Sequence, residues 1–462
     1  MKIKFFGGAG GVTGSKTLLS LGKEKYLVDY GLYQGSAERR ERNWENFAEA
    51  RKISAVFLTH AHIDHSGLLP RLRKDGFRGH VYCSFETYKL CEILLEDSAK
   101  IHEEDAKFAN EKDYSRHKPA LPVYTQKDAA EILKQFKPVN FDEEIIISKN
   151  LSITFFWAGH IIGASFIKIK FTEKNESEKV IVFSGDVGHK RNILLNPPQL
   201  LCKMDFLVLE STYGGKLHPR IPAKEVLGLY LNAILKKSGV AILPSFSVGR
   251  TQDVLYLIKK LMDEKVIPTV PVYLDSPLSK KANKIFNQCF KEDCVKEEVL
   301  QGGDIYPASL VEIDSVFESK RLTTAEGPLI IISASGMIDG GRVIHHIKKR
   351  ISNKKNGIIL VGYQPEGTKG RLLIDGVKML RLHKQEFSIE ANIFHINSLS
   401  AHGDYLDMIE WIKESKINPK LVILNHGEES GSKHMKNLIE SQLDFKTTVA
   451  DFGEEFDLQH IF

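Results

Sequence analysis

The feature that most constrains this 462-residue chain is one loop, Thr59-His60-Ala-His62-Ile-Asp64-His65, placed directly after the apolar run Ala55-Val-Phe-Leu58. Three imidazoles and a carboxylate within six residues can all turn toward a single point. Imidazole and carboxylate are the ligands a zinc ion accepts, and three protein ligands are typical of a catalytic site. One histidine alone is usually a satisfied or solvent-facing side chain; four such groups on one loop imply metal binding. Cysteine cannot supply the ligands. The five cysteines (Cys83, Cys91, Cys202, Cys289, Cys294) are scattered and include no Cys-x-x-Cys. They fit neither a disulfide framework nor a thiolate zinc site, and read as reduced packing residues of a cytoplasmic protein.

Further donors follow apolar runs and open loops, the position where sites are built. His160 lies in Ala158-Gly-His-Ile-Ile-Gly-Ala-Ser165, Asp186 in Phe183-Ser-Gly-Asp186, and His426 in Leu424-Asn-His-Gly-Glu428. Each is a weak signal alone. Together with the His60 loop they predict a two-metal site, in which one carboxylate can bridge ions roughly 3.5–4 Å apart.

Elsewhere the pattern is that of a mixed α/β chain. Short apolar runs at 3–6, 16–20, 26–29 and 55–59 predict strands, and the spacing of Leu90, Ile93 and Leu94 predicts a long helix near 84–112. The loop Gly7-Gly-Ala-Gly-Gly-Val-Thr-Gly14 fails as a dinucleotide fingerprint: Thr13 holds the third glycine position, and Lys16-Thr-Leu-Leu-Ser-Leu continues as a strand and not a helix. Strands resume at 151–157, 165–171, 180–184 and 206–210. From about 214 buried-looking strands (241–246, 272–275, 328–333, 357–362) alternate with helical stretches (251–264, 341–351), the signature of a parallel sheet with helices on its faces. Residues 386–462 return to short strands and one helix near 404–414. Charge divides the chain at the same places. The net charge of +5 combines +10 over residues 214–385 (27 Lys+Arg against 17 Asp+Glu) with −5 over the remainder. A basic segment is the footprint expected for a polyanionic partner. No apolar run reaches the roughly 18–20 residues a membrane-spanning helix needs, and Met1-Lys-Ile-Lys-Phe-Phe-Gly-Gly breaks too early for a signal-peptide core. The expectation is a cytoplasmic protein without a membrane partner; nothing in the sequence opposes a homodimer.

The ordered set His-x-His-x-Asp-His, Asp29, His160 and Asp186 resembles the metallo-β-lactamase fold. Glu210 in Val-Leu-Glu-Ser-Thr-Tyr-Gly214, His402 in Ser-Leu-Ser-Ala-His-Gly-Asp404 and His426 resemble the motifs of the β-CASP nucleases. So do Pro244-Ser-Phe-Ser-Val-Gly-Arg250, Asp275-Ser-Pro277, Ser333-Ala-Ser-Gly-Met337 and Val361-Gly-Tyr-Gln-Pro365. Over essentially its whole length the chain is similar to the group that includes the nuclease subunit of the cleavage and polyadenylation specificity factor and its prokaryotic relatives. The resemblance implies an αββα metallo-β-lactamase sandwich built from residues 1–213 and 386–462, with a Rossmann-like β-CASP domain at 214–385 inserted between. It implies two Zn2+ per chain: His60, His62 and His160 on one, Asp64, His65 and His426 on the other, with Asp186 bridging and Asp29 orienting a ligand or the water. Thr59 either assists similarly or is a plain strand-end threonine.

The implied activity is hydrolysis of RNA phosphodiester bonds, within the strand, by a hydroxide activated between two metals, leaving 5′-phosphate and 3′-hydroxyl ends. His402 oriented by Glu210 is the expected general acid. Histidine at position 426 goes with RNA-acting members of the family, so RNA is the expected partner. A silent RNA-binding scaffold and a DNA-acting nuclease are the alternatives. Phosphate contacts are expected from the loops 245–250 and 333–342, between strand and helix, through Ser245, Ser247, Arg250, Ser333, Ser335, Gly336 and Arg342. His345 and His346 read as exposed helix residues.

Overall fold

A computed structural model describes residues 1–113, 115, 118–173, 177–290 and 294–459. The chain forms two compact units, one of Met1–Leu217 with His402–Phe462 and one of His218–Ala401.

The first unit contains two seven-stranded sheets. One runs in the order Glu455–Asp457, Lys2–Gly7, Lys16–Leu21, Glu24–Val28, Ile53–Phe57, His80–Ser84, Phe136–Val139. The other runs Thr447–Val449, Leu421–Asn425, Phe206–Glu210, Lys179–Phe183, Ser165–Phe171, Leu151–Trp157, Glu144–Ser148. Their inner faces share one core, in which Ile3, Phe5 and Phe57 of the first sheet join Phe155, Ile169, Phe206 and Ile423 of the second. Each such side chain contributes about 1.5–3 kcal/mol on full burial. Phe85–Glu111 packs outside the first sheet, and Glu429–Leu443 packs outside the second. This is the helix–sheet–sheet–helix sandwich expected from the motifs.

Strand direction places the loops that matter. Glu24–Val28, Ile53–Phe57, His80–Ser84 and Phe136–Val139 pair parallel. So do Lys179–Phe183, Phe206–Glu210, Leu421–Asn425 and Thr447–Val449. Phe206–Glu210 and Leu421–Asn425 are buried at every residue, as a parallel strand covered on both faces must be. The carboxyl ends of these strands, where Asp29, Thr59, Asp186, Glu210 and His426 begin their loops, therefore gather along one edge. The strand Lys16–Leu21 pairs antiparallel with Lys2–Gly7, so the glycine loop between them is a hairpin turn and not a helix entry.

The second unit has one six-stranded parallel sheet in the order Leu310–Glu312, Val272–Leu274, Leu329–Ser333, Val240–Pro244, Gly357–Leu360, Asn392–His395. Ile344 and Ile347 of the helix Val343–Arg350 pack on Ile242, Ile331 and Leu360 of that sheet. The division read from sequence at 385/386 falls before Asn392–His395, which is the edge strand of this sheet, and the units divide at Ala401/His402. A second difference is the helix Glu429–Leu443, where the sequence suggests only strands and one helix. Its first turn is Glu-Ser-Gly-Ser, and it buries only Ser432, Met435 and Ile439, too sparse a stripe to register as helical periodicity.

Candidate metal centre

Four strand-end loops of the first unit deliver side chains to one buried point. His60 and His62 come from the loop after Ile53–Phe57, and Asp64 and His65 from the short helix Ile63–Ser66 that continues it. His160 comes from the loop after Leu151–Trp157, Asp186 from that after Lys179–Phe183, and His426 from the residue following Leu421–Asn425. Besides an overlapping group of Asp186, Glu210 and His426, two donor groups form, each with its ligand atoms within 4.8 Å of one another: His60, His62, His160 and Asp186, and Asp64, His65 and His426. Asp186 lies between them. Its Oδ2 is 3.4 Å from His60 Nε2 and 3.6 Å from His160 Nε2, while its Oδ1 is 3.3 Å from His65 Nε2 and 3.2 Å from His426 Nδ1. His426 Nε2 is 3.7 Å from Asp64 Oδ2.

The chemistry of these groups fits a cation. His65 Nε2, Asp186 Oδ1 and His426 Nε2 are buried and make no hydrogen bond among the described residues, although Asp186 Oδ1 stands 3.3 Å from His65 Nε2 and 3.2 Å from His426 Nδ1. Unaligned close approach is what lone pairs converging on a shared centre produce; left that way, each buried polar atom costs about 1–3 kcal/mol. Burial holds the His60 imidazole down to about 3 and lowers His62 and His160 as well, so these rings stay neutral and keep a lone pair free. Burial opposes the charge on Asp186, but the His426 and His65 rings outweigh it and hold the carboxyl well below its ordinary range.

A second layer orients the first. Asp29 is buried; its Oδ2 lies 2.7 Å from His65 Nδ1, and its Oδ1 accepts from Thr59 N at 2.8 Å. Thr59 Oγ1 bonds the same carboxylate at 2.9 Å and lies 3.0 Å from His60 Nδ1, so this threonine is part of the ligand scaffold and not a plain strand end. Such contacts fix ring orientation and tautomer. Glu210, 3% exposed, lies with both carboxylate oxygens 3.1 Å from His402 Nδ1, and its Oε1 accepts from Val187 N at 2.6 Å. Burial would lower the His402 imidazole, but the Glu210 and Asp186 carboxylates outweigh it and push it up to about 9. His402 Nε2 stands 3.9 Å from Asp186 Oδ2, facing the donor groups.

Gly31 is required beneath this loop. A Cβ there would stand 1.6 Å from Asp64 O and 2.7 Å from His65 N. Gly31→Ala is expected to cost about 1–3 kcal/mol of stability by overpacking and to weaken metal affinity, because the backbone that must retreat carries Asp64 and His65. Denaturant unfolding and a zinc competition titration measure the two effects.

The phosphate-loop candidates all stand at the carboxyl ends of the second unit's sheet. Ser245 N donates to Ser333 O at 3.1 Å, and a Cβ on Gly336 would meet Phe246 N at 3.2 Å. Several are already engaged. Ser333 Oγ donates to Asp275 O, Arg250 pairs with Asp253 at 2.9 Å, and Arg342 NH1 donates to Asp275 Oδ1 at 2.7 Å. Ser245 is buried, while Ser247 and Ser335 are partly exposed. His345 is exposed as expected, but His346 is fully buried with Nε2 2.6 Å from Asp275 Oδ2. Nothing local to His345-His346 distinguishes the two rings; the partner carboxylate is far away in sequence.

Comparison with known proteins agrees with this architecture. A metallo-β-lactamase superfamily domain matches residues 18–210, a β-CASP domain residues 251–373, and a Zn-dependent metallo-hydrolase RNA specificity domain residues 386–450. A ribonuclease of Thermus thermophilus is 32% identical over 98% of this chain and 99% of its own length. A probable RNase of Methanocaldococcus jannaschii is 30% identical over 95% of each chain, and a transcription termination factor of a Lokiarchaeum species is 28% identical over 96% of this chain and 69% of its own. A crystal structure of a protein of unknown function from Enterococcus faecalis shares the fold, with a TM-score of 0.54 at 14% identity over 98% of this chain and 99% of that one. Likeness that runs from end to end, and not merely across one domain, settles the family: the chain belongs to the β-CASP branch of the metallo-β-lactamase superfamily and is a metal-dependent hydrolase.

Proposed function

We propose that the protein is a zinc-dependent ribonuclease that hydrolyses RNA phosphodiester bonds within the strand, leaving 5′-phosphate and 3′-hydroxyl ends. The observation that carries this reading is the placement of Asp186, one carboxylate oxygen facing His60 and His160 and the other facing His65 and His426. His60, His62 and His160 would hold one ion and Asp64, His65 and His426 the other, with Asp186 shared. When bound, such a pair lowers the pKa of water and neutralises charge on a phosphodiester.

The chain's own residues do the rest. Asp29 accepts a hydrogen bond from His65 Nδ1, which turns Nε2 inward toward Asp186. Glu210 holds a proton on His402 Nδ1, which leaves Nε2–H as the donor for the departing 3′-oxygen. RNA as substrate is supported by the ribonuclease relatives, by the match to an RNA specificity domain and by the +10 charge of residues 214–385. Ser247, Ser335 and Arg342, at the sheet end of that segment, are its candidate side chains for phosphate.

End-labelled RNA tests the proposal. Internal fragments with 5′-phosphates are expected, lost in chelator and restored by zinc, with two ions per chain by elemental analysis. The chelated protein should also melt lower, because bound ions stabilise the folded state by mass action. Zinc-loaded protein that binds RNA without cutting it would establish a scaffold instead, and release of terminal nucleotides alone would overturn internal cleavage.

A further inference from the structure

The glycine-rich turn between Lys2–Gly7 and Lys16–Leu21 has no part in the chemistry above, yet it hangs from the metal centre. His426 N donates to Gly8 O at 2.9 Å at one end of the turn, and Ser15 N donates to Asp64 O at 2.8 Å at the other. Asp64 and His426 belong to the same donor group. The turn is thus suspended from the backbone of two of that group's members.

The tip is built to receive an anion. Gly8 and Gly10 have φ of 73° and 65° with Ala9 between them at negative φ; alternation of this kind turns successive N–H groups toward one side and makes an anion-binding concavity. Gly8 N closes on Thr13 O. The amides of Ala9, Gly10, Gly11 and Val12 meet no acceptor among the described residues. A cation lies against them. Arg39 donates through NH2 to Gly10 O at 3.2 Å, and a Cβ on Gly11 would stand 2.7 Å from Arg39 NH1. Around Gly10 a Cβ would meet nothing within 4 Å, so the tip is open on its outer side.

We infer that the Gly8–Thr13 turn and Arg39 form a phosphate subsite for the substrate strand, holding a phosphodiester that flanks the one being cut. This rests on the ribonuclease reading and adds to it a grip supplied by the lactamase-type unit itself. Backbone amides and a guanidinium bind phosphate without reading a base, so the subsite contributes position and not sequence preference. A second phosphate held beside the centre fixes the strand in the orientation that attack requires.

Single methylphosphonate linkages, each removing one phosphate charge, are walked along an oligonucleotide that is cut at one place. With wild-type protein one flanking linkage is expected to weaken binding about ten-fold, the size of one charged hydrogen bond. Arg39→Ala should raise KM about ten-fold on unmodified RNA, and the two losses should not add, which marks direct coupling. Gly11→Ala, whose Cβ displaces the guanidinium while keeping its charge, should raise KM too, and metal content should stay at the wild-type level in both variants. Arg39→Ala with wild-type kcat/KM, or losses that add at every linkage, would overturn the subsite. Affinity is read separately by fluorescence anisotropy. Coupled binding without any cleavage would uphold the subsite and remove the ribonuclease reading, whereas cleavage without coupling would do the reverse.

Discussion

Asp186→Asn is expected to abolish RNA cleavage, by at least about 10³-fold, and to cut the zinc content of the purified protein. The substitution preserves the outline of the side chain but removes its charge and one of the two oxygens that face the donor groups. Those oxygens lie 3.2–3.6 Å from four different imidazoles, so this change reaches both halves of the centre at once. Two-metal stabilisation of phosphoryl charge is worth several kcal/mol, and about 4 kcal/mol already corresponds to 10³ in rate. The chelated protein should melt lower too, because the amide removes a charge that the His426 and His65 rings favour in the folded state, and the further rise on adding zinc should shrink. A variant that retains two zinc ions per chain and cuts RNA within ten-fold of wild type would show that Asp186 is not the shared ligand.

How much of this was legible beforehand depends on the distance between partners. His60, His62, Asp64 and His65 stand within one loop, and His160, Asp186 and His426 each follow an apolar strand, so the parallel strand ends that gather them are implied by the same pattern that makes them strands. Glu210 and His402 were reachable only through resemblance, since a strand-end glutamate and a loop histidine carry no local mark of their pairing. The burial of His346 carries no local signal, because it depends on Asp275, which follows a strand more than seventy residues earlier. Charge and texture change at 385/386, where the match to the RNA specificity domain also begins, whereas the edge strand Asn392–His395 completes the preceding sheet by pairing with Gly357–Leu360, a contact that local composition does not encode. The glycine turn was recognisable as a loop, but its attachment to Asp64 and His426 lies wholly in backbone hydrogen bonds that no side-chain pattern encodes.

His402→Ala should keep both metal ions yet lose about 10²–10⁴ in turnover, the usual worth of a general acid. His402 is absent from the two principal donor groups, and its Nδ1 is committed to Glu210. Loss of rate alone would not separate proton donation from a role in shaping the site. A substrate whose scissile 3′-oxygen is replaced by sulfur does separate them. A thiolate leaves readily without protonation, so a missing acid no longer matters, whereas a misshapen centre stays impaired on either substrate. On the sulfur substrate His402→Ala should therefore approach the wild-type rate. Glu210→Gln should follow the same pattern with a smaller loss on ordinary RNA, because the imidazole remains but the carboxylate that keeps it protonated is gone. Equal deficits on oxygen and sulfur leaving groups would withdraw the general-acid role from His402 and leave it as a wall of the metal centre.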